Sequence, residues 1–189
     1  NRFIGKDVNV AEIGVYSGGS LKMWRKYFGT KSHIYGIDIK EECKAYESEQ
    51  ISIFIGDQAD RSFWSDFRTQ TGKLDIIIDD GGHTPEQQRI SLEENLPYLN
   101  NGGIYLCEDI AEYFNEFSAY AYGLIDKLNY YRHVKGSVLE SHISPFQSSI
   151  YSIHFYPYVM VIEKRKNILD QLSAPKHGTL WQPFLDKNK

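Results

Sequence analysis

Apolar residues fall along this chain in short runs separated by longer amphipathic stretches, and that rhythm predicts its elements. Val8–Gly14 reads as a strand ending at glycine, followed by a helix from about Ser20 to Phe28. His33–Asp38, Ile51–Ile55 and Leu74–Asp79 read as three more strands. The last is nearly continuous in β-branched residues, as a parallel strand buried on both faces requires. Between them, Glu41–Ser48 and Arg61–Gln70 read as helices. A helix from about Pro85 to Leu99, with Pro85 in its first turn, leads through an Asn100-Asn101-Gly102 turn into a fifth strand, Gly103–Cys107. A long helix over Tyr113–Val134 and a polar loop over Lys135–Ser149 follow. Ile150–Phe155 and Tyr158–Lys164 are then two strands separated only by Tyr156-Pro157, a spacing that suits an antiparallel hairpin. Ala174–Lys189 reads as an arm or a loose end.

Five βα units and a hairpin predict an α/β fold, a doubly wound and mostly parallel sheet with an antiparallel C-terminal edge. Ligands of such sheets sit outside the carboxyl ends of the strands, so the residues that matter should follow strands. With 189 residues, 41% of them hydrophobic and 24% charged, the chain fits a single domain over 1–189 with a real core. A net charge of −4 and an isoelectric point of about 5.9 argue against a nucleic-acid partner. No apolar run approaches the ~20 residues that span a bilayer. Two cysteines, Cys43 and Cys107, make no disulfide framework. With no visible signal peptide, the expectation is a cytoplasmic protein without a membrane partner. The chain opens without Met, which leaves room for a region ahead of it.

The first strand runs into Glu12-Ile13-Gly14-Val15-Tyr16-Ser17-Gly18-Gly19-Ser20. A nicotinamide dinucleotide fingerprint needs a second glycine where Tyr16 stands, and Glu12 would repel a pyrophosphate while suiting a cationic or hydroxyl-bearing ligand. Gly14, Gly18 and Gly19 allow a tight turn with free amides at a helix start, or simply a βα turn. Asp38 closes the second strand and can accept both hydroxyls of a ribose, or stand solvated at a strand end. Asp57 and Gln58 follow the third strand and can read an adenine edge, or form an ordinary turn. Asp79 and Asp80 at the fourth strand end and Glu108 and Asp109 at the fifth bring four carboxylates near His83. A divalent cation resolves that repulsion, and all-oxygen donors favour Mg²⁺. His83 can take a proton near neutral pH. Separately these residues also read as caps or solvated groups. Cys107 reads as core, Trp24, Trp64 and Trp181 as packing residues, and His133, His142 and His154 are dispersed.

The run Glu12–Ser20, with Gly36-Ile37-Asp38 and Gly56-Asp57-Gln58-Ala59-Asp60, resembles the class I S-adenosylmethionine-dependent methyltransferases. Ile76–His83, the helix start Gly18–Arg25 and the hairpin further resemble the macrocin and mycinamicin type of macrolide-sugar O-methyltransferase. The likeness covers about Val8 to Lys164. It implies a Rossmann-like sheet binding S-adenosyl-L-methionine through Glu12, Gly14, Ser17, Gly18, Gly19, Asp38, Asp57, Gln58 and Asp79. It also implies Mg²⁺ on Asp80, Glu108 and Asp109, His83 as general base, and a small acceptor, a sugar-bearing natural product of antibiotic biosynthesis. Gly82 replaces a serine of the family signature and leaves the ligands intact. The family's N-terminal region, which helps cover the acceptor, is not in this sequence, and a homo-oligomer is open. Two other readings remain: a cofactor-binding module without catalysis, disfavoured by the intact acids and His83, and an NAD-dependent oxidoreductase on a similar sheet, disfavoured by Tyr16 and by the metal cluster.

Overall fold

A computed structural model of the chain describes residues 2–111, 115–130 and 143–170. Its elements alternate as β1 (Asn9–Ile13), α1 (Gly19–Phe28), β2 (His33–Asp38), β3 (Ile51–Ile55), α2 (Arg61–Thr71), β4 (Leu74–Asp79), α3 (Pro85–Asn95) and β5 (Leu99–Cys107). Then come α4 (Glu116–Leu128), α5 (Pro145–Ser149), β6 (Ile150–Tyr156) and β7 (Val159–Lys164). The seven strands make one sheet in the order β3-β2-β1-β4-β5-β7-β6. The first five are parallel, while β7 runs antiparallel to β5 and to β6. The expected sheet and its reversed edge are both present.

Strand side chains alternate between the faces and build two cores. On one face Val10, Ile34, Ile53, Ile76 and Ile78 pack with Leu21 and Phe28 of α1. On the other, Ala11, Ile37 and Ile77 pack with Trp64 and Phe67 of α2, Ile90 and Leu92 of α3, and Phe117, Ala121 and Leu124 of α4. Trp64 is 1% exposed, meets Phe67 edge-on at 5.7 Å, and donates its ring N–H to the Gln58 carbonyl at 2.9 Å.

Four local expectations are corrected. Glu41–Ser48 is not an α-helix; a 3-10 turn covers Glu41–Tyr46. The helix begun at Pro85 stops at Asn95, because Pro97 cannot continue it, and a 3-10 turn over Leu96–Tyr98 follows. Asn100–Gly102 lies within β5 as an irregularity, since pairing with β4 skips from Leu74↔Leu99 to Ile76↔Ile104. The end of the expected polar loop is helical. Ser144 and Gln147 cap α5 reciprocally, the pattern that Thr84 and Gln87 make at α3. Of the helix expected over Tyr113–Val134, Glu116–Leu128 is present behind the Asn115 cap. Tyr113 and residues 131–134, with His133, His142, Trp181 and the 174–189 tail, lie outside the described residues.

The register fixes what shares the carboxyl edge. Phe54, Ile37, Ile13, Asp79, Cys107 and Met160 stand in one row across six strands. The ladder runs one residue further: the amides of Gly14, Asp80 and Glu108 donate to Ile37, Ile13 and Asp79 at 2.8, 3.0 and 2.8 Å. Asp38, Gly14, Asp80 and Glu108 therefore stand side by side at the strand ends. Trp64→Ala is expected to cost about 3–5 kcal/mol, since it opens a cavity and orphans the Gln58 carbonyl. Urea denaturation measures it; a loss within 1 kcal/mol would show that the site collapses without cost.

Candidate active site

The strand ends enclose a cleft of about 420 Å³, lined by Gly14 and Tyr16 after β1, Asp38, Ile39 and Lys40 at the end of β2, Asp57 and Gln58 after β3, and Asp80, Gly81, Gly82 and His83 after β4. Gly14 makes the cleft possible. At φ 96 it occupies a conformation that favours glycine, and a Cβ there would stand 2.0 Å from the Asp80 carbonyl oxygen. The loop after β1 can thus lie against the end of β4.

Asp38 organises that loop. One of its oxygens accepts from the Val15 and Tyr16 amides, both at 3.0 Å, and the other from the Lys40 amide at 2.9 Å. Burial works to raise its pKa, yet the hydrogen bonds from Tyr16, Lys40, Cys43 and Val15 outweigh it and hold the carboxyl below its ordinary value. Asp38 lines the cleft as expected. Tyr16, used in the sequence reading only to disfavour a nicotinamide nucleotide, stands at the mouth of the cleft, 82% exposed and at φ 48. A bulky residue set between glycines was its one signal.

Gln58 differs from expectation. Its amide nitrogen donates to an Asp79 oxygen and to the Ser91 hydroxyl, each at 3.0 Å, and its amide oxygen accepts from the Gly82 amide at 2.6 Å. Both N–H groups are consumed, so Gln58 cannot donate to an adenine edge. It braces the Gly81-Gly82 loop instead, while Asp57 is exposed and lines the cleft. Asp79 is likewise turned inward: 1% exposed, with its second oxygen accepting from the Tyr105 hydroxyl at 2.9 Å. Burial, opposed by the bonds from Tyr105 and Gln58, raises its pKa to about 6. Asp79 therefore supports the cleft from beneath.

Glu12 is also internal, 2% exposed, accepting from the Ser20 hydroxyl at 2.8 Å and the Trp24 ring N–H at 2.7 Å. Burial pushes its carboxyl up to about 7, against those two bonds and with the charges of Asp80 and Glu108. Ser17, Gly18 and Gly19 form the turn into α1 and lie outside the cleft lining. Cys107 is fully buried, and burial drives its thiol far above the usual range, as a core residue.

Past the ends of β4 and β5, one donor atom each from Asp80, His83 and Asp109 lies within 4.8 Å of the others. His83 Nε2 is 3.7 Å from Asp109 Oδ2 and 4.0 Å from Asp80 Oδ1. His83 and Asp109 both have positive φ, 50° and 51°, a conformation that costs a non-glycine residue about 1 kcal/mol or more. Glu108 lies alongside: burial first, then Asp80 and Asp109, raise its pKa, and His83 lowers it. Burial also raises Asp80, with His83 opposing and Asp109 adding. Gln88 of α3 donates to the Glu108 carbonyl at 3.1 Å. Among the described residues, only His83 makes an ion-pair contact with these acids. Asp80, His83 and Asp109 are a donor set that fits a hard dication keeping several waters, while Glu108, expected among the ligands, stands beside that group and not within it.

A family model described as "Methyltransferase domain" matches residues 11–110, from β1 to just past Asp109. The 8-demethyl-8-alpha-L-rhamnosyl tetracenomycin-C 2'-O-methyltransferase of Streptomyces olivaceus is 30% identical over 185 residues, 87% of this chain and 48% of that protein. Demethylmacrocin O-methyltransferase of Streptomyces fradiae is 37% identical over 112 residues, 56% of this chain and 28% of that protein. The chain thus spans about half the length of such curated relatives, or less. Among solved structures, MycE methyltransferase from the mycinamycin biosynthetic pathway, in complex with Mg and SAH, superposes with a TM-score of 0.75 at 28% identity. That match covers 87% of this chain and 46% of MycE. An rRNA-methylase-like protein of Clostridium thermocellum, at 12% identity and TM-score 0.57, shares the fold.

Gln58→Ala is expected to destabilise the chain by about 1–3 kcal/mol and to speed amide exchange over residues 80–83 at least tenfold, since buried Asp79 and Ser91 and the Gly82 amide all lose a bond. Exchange mass spectrometry reads the second effect; unchanged exchange would leave Gln58 no bracing role. For Glu12, the folded chain holds a proton between pH 4.5 and about 7 that the unfolded chain has lost. Glu12 therefore makes stability fall as pH rises across that window. Urea midpoints should show Glu12→Gln flattening the fall; identical slopes would refute it.

Proposed function

The chain belongs to the methyltransferase-domain family, and on that premise we propose that it is an S-adenosylmethionine-dependent, magnesium-assisted O-methyltransferase acting on a sugar hydroxyl of a small natural product. One observation carries the reading: Asp80 and His83, which converge with Asp109, line the same cleft as Asp38 and Asp57. The named functions of the relatives, and the Mg and SAH of the MycE complex, support it. The cytoplasm is its proposed location; no described helix is long and apolar enough to cross a membrane.

Asp38 and Asp57 suit the ribose and base of the cofactor, while Gly14 and Gly81 let its sulfur-bearing part approach the strand ends. Asp80, Glu108 and Asp109 would hold Mg²⁺. Once bound, the sulfonium supplies an activated methyl and the dication lowers the pKa of a nearby hydroxyl. His83 receives the acceptor's proton on Nε2, the nitrogen that faces Asp80 and Asp109. Those acids balance the charge the ring gains. With the methyl donor already reactive, what remains for the protein is positioning. Asp79, Gln58, Tyr105 and Gln88 do that work by fixing the backbone beneath Asp80, Gly82 and Glu108.

Calorimetry with S-adenosylmethionine and with NAD, each with and without Mg²⁺, tests the assignment; binding of NAD alone would end it. Asp80→Asn and Asp109→Asn are each expected to weaken Mg²⁺ at least tenfold. His83→Ala should cut methyl transfer about 10²–10⁴-fold while leaving S-adenosylmethionine affinity within twofold. Full turnover by His83→Ala would remove it from the mechanism.

A further inference from the structure

The reversed hairpin puts its turn, not its ends, at the chemical edge of the sheet. Because β7 runs against β5, with Leu106 opposite Val161 and Cys107 opposite Met160, the turn before β7 stands beyond Cys107, level with Glu108 and Asp109. The Ile110 amide donates to the Tyr158 carbonyl at 2.9 Å and ties that turn to the residue after Asp109. Phe155, Tyr156 and Tyr158 gather there, and Tyr122 of α4 stacks on Phe155 at 5.6 Å between ring centroids.

These four aromatic side chains are 41–65% exposed. With Ile110 and Ser118 they border a cavity of about 210 Å³ whose lining, among the described residues, carries no charged residue. Apolar faces with phenolic and serine hydroxyls at their margins suit a neutral ring bearing few polar groups. A cavity of ~150 Å³ holds benzene, so this one has room for about one substituted six-membered ring. Ile110 lines it, and Asp109 is the residue before it in the chain.

We propose that this pocket binds the neutral apolar ring that carries the methylated sugar, so that the acceptor reaches from the His83–Asp109 cluster to the Tyr122–Phe155 stack. The proposal rests on the sugar O-methyltransferase reading. A sugar held at the cluster keeps its carrier close by, and the relatives named above and beside them act on sugars borne by a larger molecule, a rhamnosyl tetracenomycin and an olivosyl oleandolide.

The test uses the 189-residue chain loaded with S-adenosylhomocysteine and Mg²⁺. Its two probes differ only in the group on the sugar: methyl α-L-rhamnopyranoside and 4-nitrophenyl α-L-rhamnopyranoside. Calorimetry is expected to show the aryl glycoside bound about tenfold more tightly, as partial burial of one ring provides. Tyr122→Ala, Phe155→Ala and the double variant should shrink that preference to about twofold, with S-adenosylhomocysteine affinity and thermal melting unchanged. Equal affinities in the unsubstituted chain, no detectable binding of the aryl glycoside, or a preference that survives in the double variant would each overturn the pocket. So would a dimer in sedimentation that the double variant splits, because the aromatics would then join two copies. If the unsubstituted chain fails to bind S-adenosylhomocysteine, the methyltransferase reading falls and takes this one with it. Cofactor binding without an aryl preference removes the pocket alone.

Discussion

Three lateral hydrogen bonds, from the amides of Gly14, Asp80 and Glu108 to the strand beside each, hold the chemistry of this molecule in one line. They carry the parallel ladder one residue past the last regular pairs, so the first residues of three separate loops are placed as precisely as strand residues. The side chain that Gly14 lacks is what lets the middle of that line close, because a Cβ there would meet the Asp80 carbonyl. The cleft and the acidic cluster thus share a single backbone feature.

A second layer lies directly under it. Asp79, Gln58, Ser91 and Tyr105 form a buried polar network whose outward link is the Gly82 amide. Leaving any one of its members unpaired would cost more than a typical hydrogen bond supplies, so the network resists piecemeal change. The acids above it are partly solvated and repel one another: beyond what burial does, Asp109 raises the pKa of Asp80 and both raise that of Glu108.

Most of the fold was legible because the strands are short, apolar and well punctuated; Ile51–Ile55 and Leu74–Asp79 match their expected bounds. What escaped was local. Asn100-Asn101-Gly102 carries turn residues, but pairing with β4 absorbs it into β5. Ser144-Pro145-Phe146-Gln147 repeats the start signal of Thr84-Pro85-Glu86-Gln87, and its helix went unread because one turn shows no period. At the site, position after a strand marked Asp38, Asp80, His83 and Asp109. The division of labour between Asp79 and Asp80 was within reach of strand alternation, since neighbouring side chains point to opposite faces. Gln58 was not, because its partners are 21 to 33 residues away.

Tyr16, His83 and Asp109 all hold backbone angles that glycine would adopt with ease. Each is a small debt against thermal resilience, kept where geometry matters most. A lineage selected only for robustness would drift toward glycine at these points, and would lose with it a tyrosine at the mouth, an imidazole and a carboxyl of the cluster. Ruggedness and reactivity in this molecule therefore compete for the same three positions.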